Sequence, residues 1–252
     1  MNVSIVYFSG TGNTKAIAEG YEAVLAKSGH HIEIMSIEES TCIPDHELLI
    51  IGGPIYAGNM PDELINWIRK NVKRVEGKKA IVFSTSAGLL NANGVKSIGK
   101  KLINKGYSLL DMSAFEMPRN FYIDKYDPTP DNIQKQQFEN AATKIMESLS
   151  KINNCNEIRV KESMIMIDLF ADLFRIMAKS LGKSFSINEN CIGCGMCEKN
   201  CPKKNIKFKD KKYFNKCIMC TRCIHNCPVN AISYKGKQIE QYRVHHDIKF
   251  DS

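Results

Sequence analysis

The sequence lacks both a secretion signal and a run of residues that could span a membrane. Its first two residues lead directly into the apolar segment VSIVYF at 3–8, with no basic region before it. The most apolar later segment, MIMIDLFADLF at 164–174, is interrupted by Asp168 and Asp172 and is too short and too charged to cross a bilayer. We therefore predict an amphipathic helix at 164–174 that packs on a domain, and we expect a cytoplasmic protein without a membrane span.

Several sequence features of common enzyme classes are also missing. The chain has no Walker phosphate loop, and a dinucleotide fingerprint that starts at Gly10 would need glycine where Lys15 stands. A nicotinamide cofactor would therefore have to dock transiently. No Ser/His/Asp set or His/carboxylate pair stands out, and we predict no catalytic residue. His245 and His246 lie in a polar C-terminal tail, where we expect exposed side chains rather than ligands.

Cysteine is scarce over most of the chain and concentrated in one segment. Eight of the ten cysteines lie between Cys191 and Cys227. Only Cys42 and Cys155 lie outside, and we expect both to be ordinary thiols. Without a signal peptide, clustered cysteines indicate metal or redox ligands rather than disulfides.

The clustered cysteines form an internal repeat. The pattern C-x2-C-x2-C-x3-C-P occurs at 191–202 and again at 217–228. Zinc sites also use C-x2-C pairs, but they do not need three cysteines at this spacing followed by x3-C-P. The repeat therefore favours iron–sulfur ligation over zinc.

Residues 1–150 alternate between strand-like and helix-like segments. The predicted strands are 3–8, 31–37, 48–53, 80–86 and 107–117. The predicted helices are 13–28, 62–70, 94–106 and 131–150. Apolar strands that alternate with helices indicate a parallel sheet with helices on both faces. We predict an α/β fold with a doubly wound five-stranded sheet, and a loop or single turn at 38–47.

The rest of the chain has a different composition. From residue 186 onward there are few long apolar runs and many cysteines and lysines. We therefore expect three parts: the doubly wound domain at 1–150, a connector with the amphipathic helix at 151–185, and a small domain at 186–252.

The segment SGTGNT, residues 9–14, lies between the first strand and the first helix. Ligands of doubly wound folds bind at this place, beyond the carboxyl ends of the strands. Its hydroxyl and amide side chains, with the backbone N–H groups beside Gly10 and Gly12, can surround a phosphate monoester at a helix N-terminus. The alternative is a plain polar β–α turn.

Three loops of this domain resemble those of flavodoxins. The stretch from Phe8 to Thr14 fits the flavodoxin loop for the FMN phosphate, and GGPIYAGNMP at 52–61 resembles the loop whose aromatic residue, here Tyr56, stacks on the flavin. STSAG at 84–88 resembles the loop whose backbone meets the pyrimidine edge of the flavin. The resemblance implies that FMN is bound by Ser9, Gly10, Thr11, Gly12, Asn13, Thr14, Pro54, Ile55, Tyr56, Ala57, Gly58, Thr85, Ser86, Ala87 and Gly88.

One feature departs from the flavodoxin pattern. Many flavodoxins have a second aromatic residue in the third loop, where this chain has Ala87, Leu89 and Leu90. One face of the flavin is then more open, unless Phe121 or Tyr122 covers it.

The cysteine repeats resemble those of bacterial two-cluster ferredoxins, which are small α+β domains. The resemblance implies two [4Fe–4S] clusters, and the fourth cysteine of each repeat binds the other cluster. Cluster site 1 is then Cys191, Cys194, Cys197 and Cys227. Cluster site 2 is Cys217, Cys220, Cys223 and Cys201. We predict that the two clusters differ in potential and that Arg222 favours reduction of the second, unless Arg222 is only a solvated surface charge.

The net charge of +8 is concentrated in the C-terminal part. From residue 186 onward the chain has 13 Lys and Arg residues but only 6 Asp and Glu residues. Such an excess of positive charge would suit binding to a nucleic acid. Two clusters of about −2 each and an FMN phosphate of about −2 would offset most of this charge. We therefore expect no nucleic-acid partner, and we expect the remaining charge to guide an acidic redox protein.

The combination of the two domain types resembles the flavodoxin–ferredoxin fusion proteins of anaerobic clostridia and related bacteria, the EFR-family ferrodoxins. This resemblance implies electron transfer between the clusters and FMN, as an adaptor between one-electron and two-electron partners. The alternative is an FMN-dependent oxidoreductase that reduces a quinone or another flavin. A third possibility, a redox-sensing module, has no DNA-binding motif to support it.

Overall fold

The N-terminal part of the chain is built on one parallel sheet. In the computed structural model, the described residues are 1–88, 91–121, 127–154, 157–160, 165–210, 212–213 and 215–250. The strands of this sheet are β1 (Asn2–Tyr7), β2 (His31–Ser36), β3 (Leu48–Pro54), β4 (Lys79–Ser86) and β5 (Ser108–Glu116). Their order is β2-β1-β3-β4-β5, and every neighbouring pair is parallel. The prediction of a doubly wound five-stranded sheet is confirmed.

Four helices cover the two faces of this sheet. They are α1 (Asn13–Lys27), α2 (Asp62–Asn71), α3 (Asn91–Ile103) and α4 (Asp131–Asn154). Leu64 of α2 and Ile98 of α3 belong to the buried core on one face. Ile17 of α1 and Phe138 of α4 belong to the core on the other face. The segment between β2 and β3 contains a turn and a loop but no helix, as predicted.

The predicted amphipathic helix is present as α5 (Ile165–Leu181). Ala178 is buried in the core of the C-terminal part, and Phe174 and Leu181 pack against the same core. Leu173, Ile176 and Met177 are exposed. Among the described helices, none combines the length and the apolar character that a bilayer crossing requires.

The C-terminal part is small and has mixed secondary structure. Its elements are β6 (Phe185–Ile187), α6 (Met196–Lys199), β7 (Ile206–Lys207), β8 (Lys212–Tyr213), α7 (Arg222–His225), β9 (Ile232–Tyr234) and β10 (Lys237–Gln238). Strands β10, β9 and β6 form one antiparallel sheet, and β7 pairs with β8. The predicted α+β character is confirmed.

The sequence repeat is also a structural repeat. The short helices α6 and α7 are each preceded by a residue in the left-handed conformation, Gly195 with φ of 71° and Thr221 with φ of 57°. Glycine adopts this conformation without a steric penalty, whereas a β-branched residue such as threonine rarely does. Both repeats therefore fold alike although their sequences differ around the cysteines.

The last residues of the chain return to the N-terminal sheet. We call residues 242–250 the C-terminal strap. Val244, Ile248 and Phe250 pack against the core that α1 and α4 share. Residues at both ends of the chain thus contribute to one core, and the domain limits at 150 and 186 remain a prediction.

Candidate cofactor sites

The phosphate loop, residues 9–14, leads directly into α1. Gly12 occupies the N-cap position with φ of 112°, and no side chain caps the helix. The first turn of α1 contains no acidic residue. The partial positive charge and the free N–H groups of this helix end are therefore not neutralised by a side chain of the first turn. These properties fit a bound phosphate.

Hydrogen bonds fix the polar side chains of the phosphate loop. Gly12 N–H donates to Ser9 Oγ at 3.1 Å, and the hydroxyls of Thr14 and Thr85 lie 2.7 Å apart. The amide of Asn120 donates to the Thr11 hydroxyl. Because Thr85 belongs to the third predicted FMN loop, the first and third predicted loops are in contact.

Asn13 of the phosphate loop is held from two directions. Its Nδ2 donates to the carbonyl oxygen of Pro118 at 2.9 Å. Its Oδ1 accepts from the hydroxyl of Tyr242 at 2.5 Å. The second contact links the loop to the C-terminal strap, which the sequence did not indicate.

The second predicted FMN loop approaches the phosphate loop through Tyr56. A Cβ atom at Gly10 would lie 2.7 Å from the Tyr56 hydroxyl oxygen, so a side chain at Gly10 would displace the tyrosine. Burial raises the pKa of Tyr56 well above its usual value, and the phenol stays protonated. Ala57 and Gly58, with φ of 51° and 93°, form the turn after Tyr56.

The third predicted loop offers an unpaired polar atom. The hydroxyl oxygen of Ser86 is buried and has no hydrogen-bond partner among the described residues. A buried hydroxyl without a partner is costly, so a bound group that pairs with it would be stabilising. Ala87 of this loop is exposed, and Gly88 has φ of 117°. Together with the phosphate loop, this environment fits FMN.

The residues proposed to cover the second flavin face are only partly described. Phe121 packs against the core of the C-terminal part. Leu89, Leu90 and Tyr122 lie outside the described residues. The open-face hypothesis therefore stays a prediction.

The four cysteines of cluster site 2 line one cavity. Cys201, Cys217, Cys220 and Cys223 all border it. Burial raises the pKa of Cys217 to about 11 and that of Cys220 to about 12. Thiolates at these positions therefore need a compensating positive charge, which a cluster supplies through its iron. The donor set fits an iron–sulfur cluster.

Backbone N–H groups also point at these sulfur atoms. Met219 N–H donates to Cys217 Sγ at 3.3 Å, and Asn205 N–H donates to Cys201 Sγ at 3.2 Å. Hydrogen bonds to sulfur stabilise the thiolate and tune the potential of a cluster.

Cluster site 1 is nearer to the surface. Burial raises the pKa of Cys197, and Cys191 and Cys194 act in the same direction. Cys227 is buried in the core against which Cys191 and Cys197 pack, and its sulfur accepts from Ala231 N–H at 3.2 Å. Cys194 is exposed. Site 1 thus faces solvent more than site 2 does.

Arg222 connects cluster site 2 to the phosphate loop. Its Nε donates to the carbonyl oxygen of Gly10 at 3.0 Å, and its Nη2 donates to that of Ser9 at 2.5 Å. Both terminal nitrogens also donate to the carboxylate of Glu38. The side chain is 11% exposed, so the alternative of a solvated surface charge is wrong.

Several residues of this junction were missed by sequence analysis. His225 Nε2 donates to the carbonyl oxygen of Asn120 at 2.7 Å, and its Nδ1 accepts from Tyr242 N–H at 2.9 Å. Burial lowers the pKa of His225 to about 4, so the ring is neutral. Gly182 packs so closely on Cys217 that a Cβ atom would lie 2.1 Å from that of the cysteine. No local pattern marks these residues, because their partners are distant in sequence.

Comparisons with known proteins match both parts of the chain. The family model described as a flavodoxin domain matches residues 4–115. The family model of the 4Fe-4S binding domain matches residues 186–207 and 211–233. A curated flavodoxin from Clostridium saccharobutylicum is 28% identical over 99 residues, which are 38% of this chain. The chain spans 62% of the length of that relative.

Solved structures with similarity to this chain include several flavodoxins. The two-electron reduced flavodoxin of Megasphaera elsdenii is 21% identical, and the alignment covers 56% of this chain and 98% of that one, with a TM-score of 0.39. Oxidised flavodoxin 2 of Bacillus cereus is 19% identical over 60% of this chain and 99% of its own, with a TM-score of 0.43. The rubredoxin oxygen:oxidoreductase of Desulfovibrio gigas is 13% identical over 60% of this chain and 37% of its own, with a TM-score of 0.39.

Proposed function

We propose that this chain, which joins a flavodoxin domain to a 4Fe-4S binding domain, transfers electrons between two [4Fe–4S] clusters and FMN. A [4Fe–4S] cluster exchanges one electron at a time, whereas FMN accepts one or two. A protein that holds both is an adaptor between one-electron and two-electron redox partners. The proposed cluster ligands are the cysteines of cluster sites 1 and 2, and the proposed FMN site is formed by the three flavodoxin-like loops.

The contact between cluster site 2 and the phosphate loop carries this proposal. A Cβ atom at Gly10 would lie 3.3 Å from the carbonyl oxygen of Cys220. Arg222 follows two residues later and bonds to the backbone of the same loop. Because these two segments are in direct contact, we take site 2 as the inner cluster and site 1 as the outer one.

The surface at cluster site 1 suits a protein partner. Ile192 is 65% exposed and Met196 is 40% exposed, and both lie within the first cysteine repeat. Exposed apolar side chains are a surface that a protein partner can bind, and the excess of Lys and Arg from residue 186 onward favours an acidic redox protein. We propose that the partner docks at site 1.

An anaerobic potentiometric titration, followed by absorbance and EPR, tests the cofactor content. The proposal predicts two iron–sulfur signals with different midpoint potentials in addition to the flavin couple. Replacement of Cys220 by serine should remove one cluster signal, and replacement of the exposed Cys42 by serine should remove none. A single cluster signal in the fully loaded parent protein would contradict the proposal.

A second candidate function is reduction of a small molecule at the flavin. The supporting observation is a cavity of about 310 Å³ that borders both Tyr56 and Cys217. Phe174 gives this cavity an aromatic wall, and Lys179 and Lys216 also line it. A planar quinone or flavin matches an aromatic wall with basic groups beside it.

Steady-state reduction of menadione, with a reduced ferredoxin as the electron donor, tests the second candidate. Phe174→Trp should narrow the cavity and raise KM for the quinone. Ile176→Trp on the same helix is the control, because Ile176 is 67% exposed and Ile176 is absent from the cavity lining. No quinone turnover by the loaded protein would leave electron transfer to a protein as the function.

A further inference from the structure

Two consecutive histidines near the end of the chain face one carboxylate at the start of α4. Nε2 of His245 and Nε2 of His246 each lie 2.8 Å from Oδ1 of Asp131. All three ligand atoms lie within 4.8 Å of one another. We propose that Asp131, His245 and His246 bind a first-row divalent cation, with Zn²⁺ as the best match, at a site separate from both cofactors.

The hydrogen bonds of His245 point to a positive charge between these groups. Nδ1 of His245 lies 2.9 Å from the carbonyl oxygen of Arg243, which accepts hydrogen bonds only, so the proton is on Nδ1. If the His245 ring is neutral, its Nε2 carries a lone pair that points at Oδ1 of Asp131. Both atoms are then hydrogen-bond acceptors. Either a second proton or a metal ion must lie between the two atoms.

The position of Arg243 favours the metal ion. Histidines that bind metals usually donate their other ring N–H to a carbonyl or carboxylate, which fixes the tautomer and the orientation of the ring. The Arg243 carbonyl does this for His245. The rings of His245 and His246 lie side by side, with centroids 4.3 Å apart, and both Nε2 atoms are directed at the same oxygen of Asp131. A metal ion at this point would be bound by both imidazoles and the carboxylate.

The ligand types select the class of metal. Two imidazoles and one carboxylate suit Zn²⁺ and its neighbours, whereas Mg²⁺ and Ca²⁺ prefer oxygen ligands throughout. Three protein ligands leave the fourth tetrahedral position to a water molecule. The proposed site is therefore a three-ligand zinc site that is open to solvent.

Only small movements are needed to admit the ion. Ligand atoms bound to zinc at about 2.0–2.1 Å in a tetrahedron are about 3.3 Å apart, so each 2.8 Å contact must lengthen by about 0.5 Å. Asp131 and His245 have exposed side chains that can move this far. His246 is less exposed and packs against Phe138, with ring centroids 5.9 Å apart, so it provides the fixed ligand.

The ion would fasten the C-terminal strap. His245 and His246 belong to the strap, whereas Asp131 belongs to α4 of the N-terminal part. Val244 of the same strap packs closely on Gly12 of the phosphate loop, because a Cβ atom added at Gly12 would lie 2.7 Å from the Val244 side chain. Zinc should therefore hold the strap against that loop and slow the release of FMN. This consequence rests on the proposed FMN site, but the metal site itself does not.

Isothermal titration calorimetry with Zn²⁺ tests the site in the anaerobic, cluster-loaded protein after treatment with a chelator. All variants carry Cys42→Ser, because Cys42 is an exposed thiol that could bind zinc. His245→Ala/His246→Ala should bind one Zn²⁺ fewer than the parent, and so should Asp131→Asn. His30→Ala/His31→Ala, the other pair of consecutive histidines, should match the parent. Mg²⁺ should not compete.

Two results would overturn the proposal. One is that the parent binds no Zn²⁺, and the other is that the site variants bind as much as the parent. A second measurement is the rate of FMN release with and without Zn²⁺, which should fall in the parent and in the His30/His31 variant only. A parent that binds zinc but no FMN would refute the proposed function and leave the metal site intact.

Discussion

Arg222 and Glu38, which are 184 residues apart in sequence, form a two-point ion pair between the two parts of the molecule. Nη1 of Arg222 donates to Oε1 of Glu38 at 2.8 Å, and Nη2 donates to Oε2 at 2.6 Å. The same guanidinium bonds to Ser9, Gly10 and Asn200 through their carbonyl oxygens. One side chain therefore joins both cysteine repeats to the phosphate loop.

Arg222→Gln should lower the midpoint potential of the inner cluster. A positive charge beside a cluster favours the reduced, more negative state, so its removal makes reduction harder. The partial burial of Arg222 limits screening of this effect by water and salt. Potentiometric EPR on the parent and the variant measures the shift.

Two control variants separate charge from architecture. Arg222→Lys keeps the charge but cannot make all the bonds of a guanidinium, so it should retain most of the potential while weakening the junction. Lys199→Gln removes a charge from an exposed position of α6 and should leave the inner cluster unchanged. If Lys199→Gln and Arg222→Gln shifted the midpoint potential equally, that potential would depend only on the net charge of the protein and not on the position of Arg222.

Gly182→Ala should disrupt the inner cluster selectively. The new Cβ atom would lie 2.1 Å from Cβ of Cys217 and 3.0 Å from its sulfur, so the cysteine must move. Iron analysis should show a decrease from about eight to about four atoms per chain.

Gly236→Ala is the matched control for this prediction. Gly236 has φ of 75° and no atom within 4 Å of its Cβ position, so alanine there brings backbone strain of about 1 kcal/mol without a clash. Its iron content should equal that of the parent. Full iron content in Gly182→Ala would mean that Cys217 is not a ligand or that its position tolerates the methyl group.

Tyr242→Phe should weaken FMN binding. The hydroxyl of Tyr242 donates to Oδ1 of Asn13, and its loss frees an amide of the phosphate loop. A lost hydrogen bond of about 0.5–1.5 kcal/mol corresponds to about a 2- to 12-fold higher Kd. Fluorescence titration of the flavin-free protein with FMN measures this constant. Tyr234→Phe, at a buried tyrosine that packs on Phe185, should bind FMN like the parent.

His46 should make the protein less stable in acid. Burial lowers its pKa below the usual 6.5, and nearby Lys78 acts in the same direction while Asp45 opposes it. The unfolded chain then binds a proton at a higher pH than the folded chain. The contribution of His46 to stability is therefore complete above about pH 6.5 and is lost as the pH falls toward the lower folded pKa.

Thermal unfolding at several pH values tests this prediction. In His46→Gln, the midpoint should fall less steeply than in the parent between about pH 7 and pH 5.5. His31→Gln, at an exposed position of β2, should keep the slope of the parent. Identical slopes in the parent and His46→Gln would exclude His46 as a source of acid sensitivity.

The sequence predicted those features that depend on residues close together in the chain. Apolar runs indicated the five strands, and the resemblance of the cysteine repeats to two-cluster ferredoxins implied the four cysteines that border one cavity. Tyr56 was predicted to contact the flavin because its loop resembles a flavodoxin loop. In contrast, the contact between Tyr242 and Asn13 joins residues 229 positions apart, and no periodicity reports such a pair. Likewise, His245 and His246 belong to a polar tail in sequence, and only the fold brings Asp131 to them.

The central claim is that electrons pass between the inner cluster and FMN within one chain. Stopped-flow mixing of the loaded protein with a reduced ferredoxin, recorded at a flavin absorbance band, tests it most directly. In the parent and in Cys42→Ser, we expect the rate of flavin reduction to be independent of the concentration of the loaded protein. In Cys220→Ser that still contains FMN, we expect strongly slowed flavin reduction. Equal rates in Cys220→Ser and the parent would contradict it.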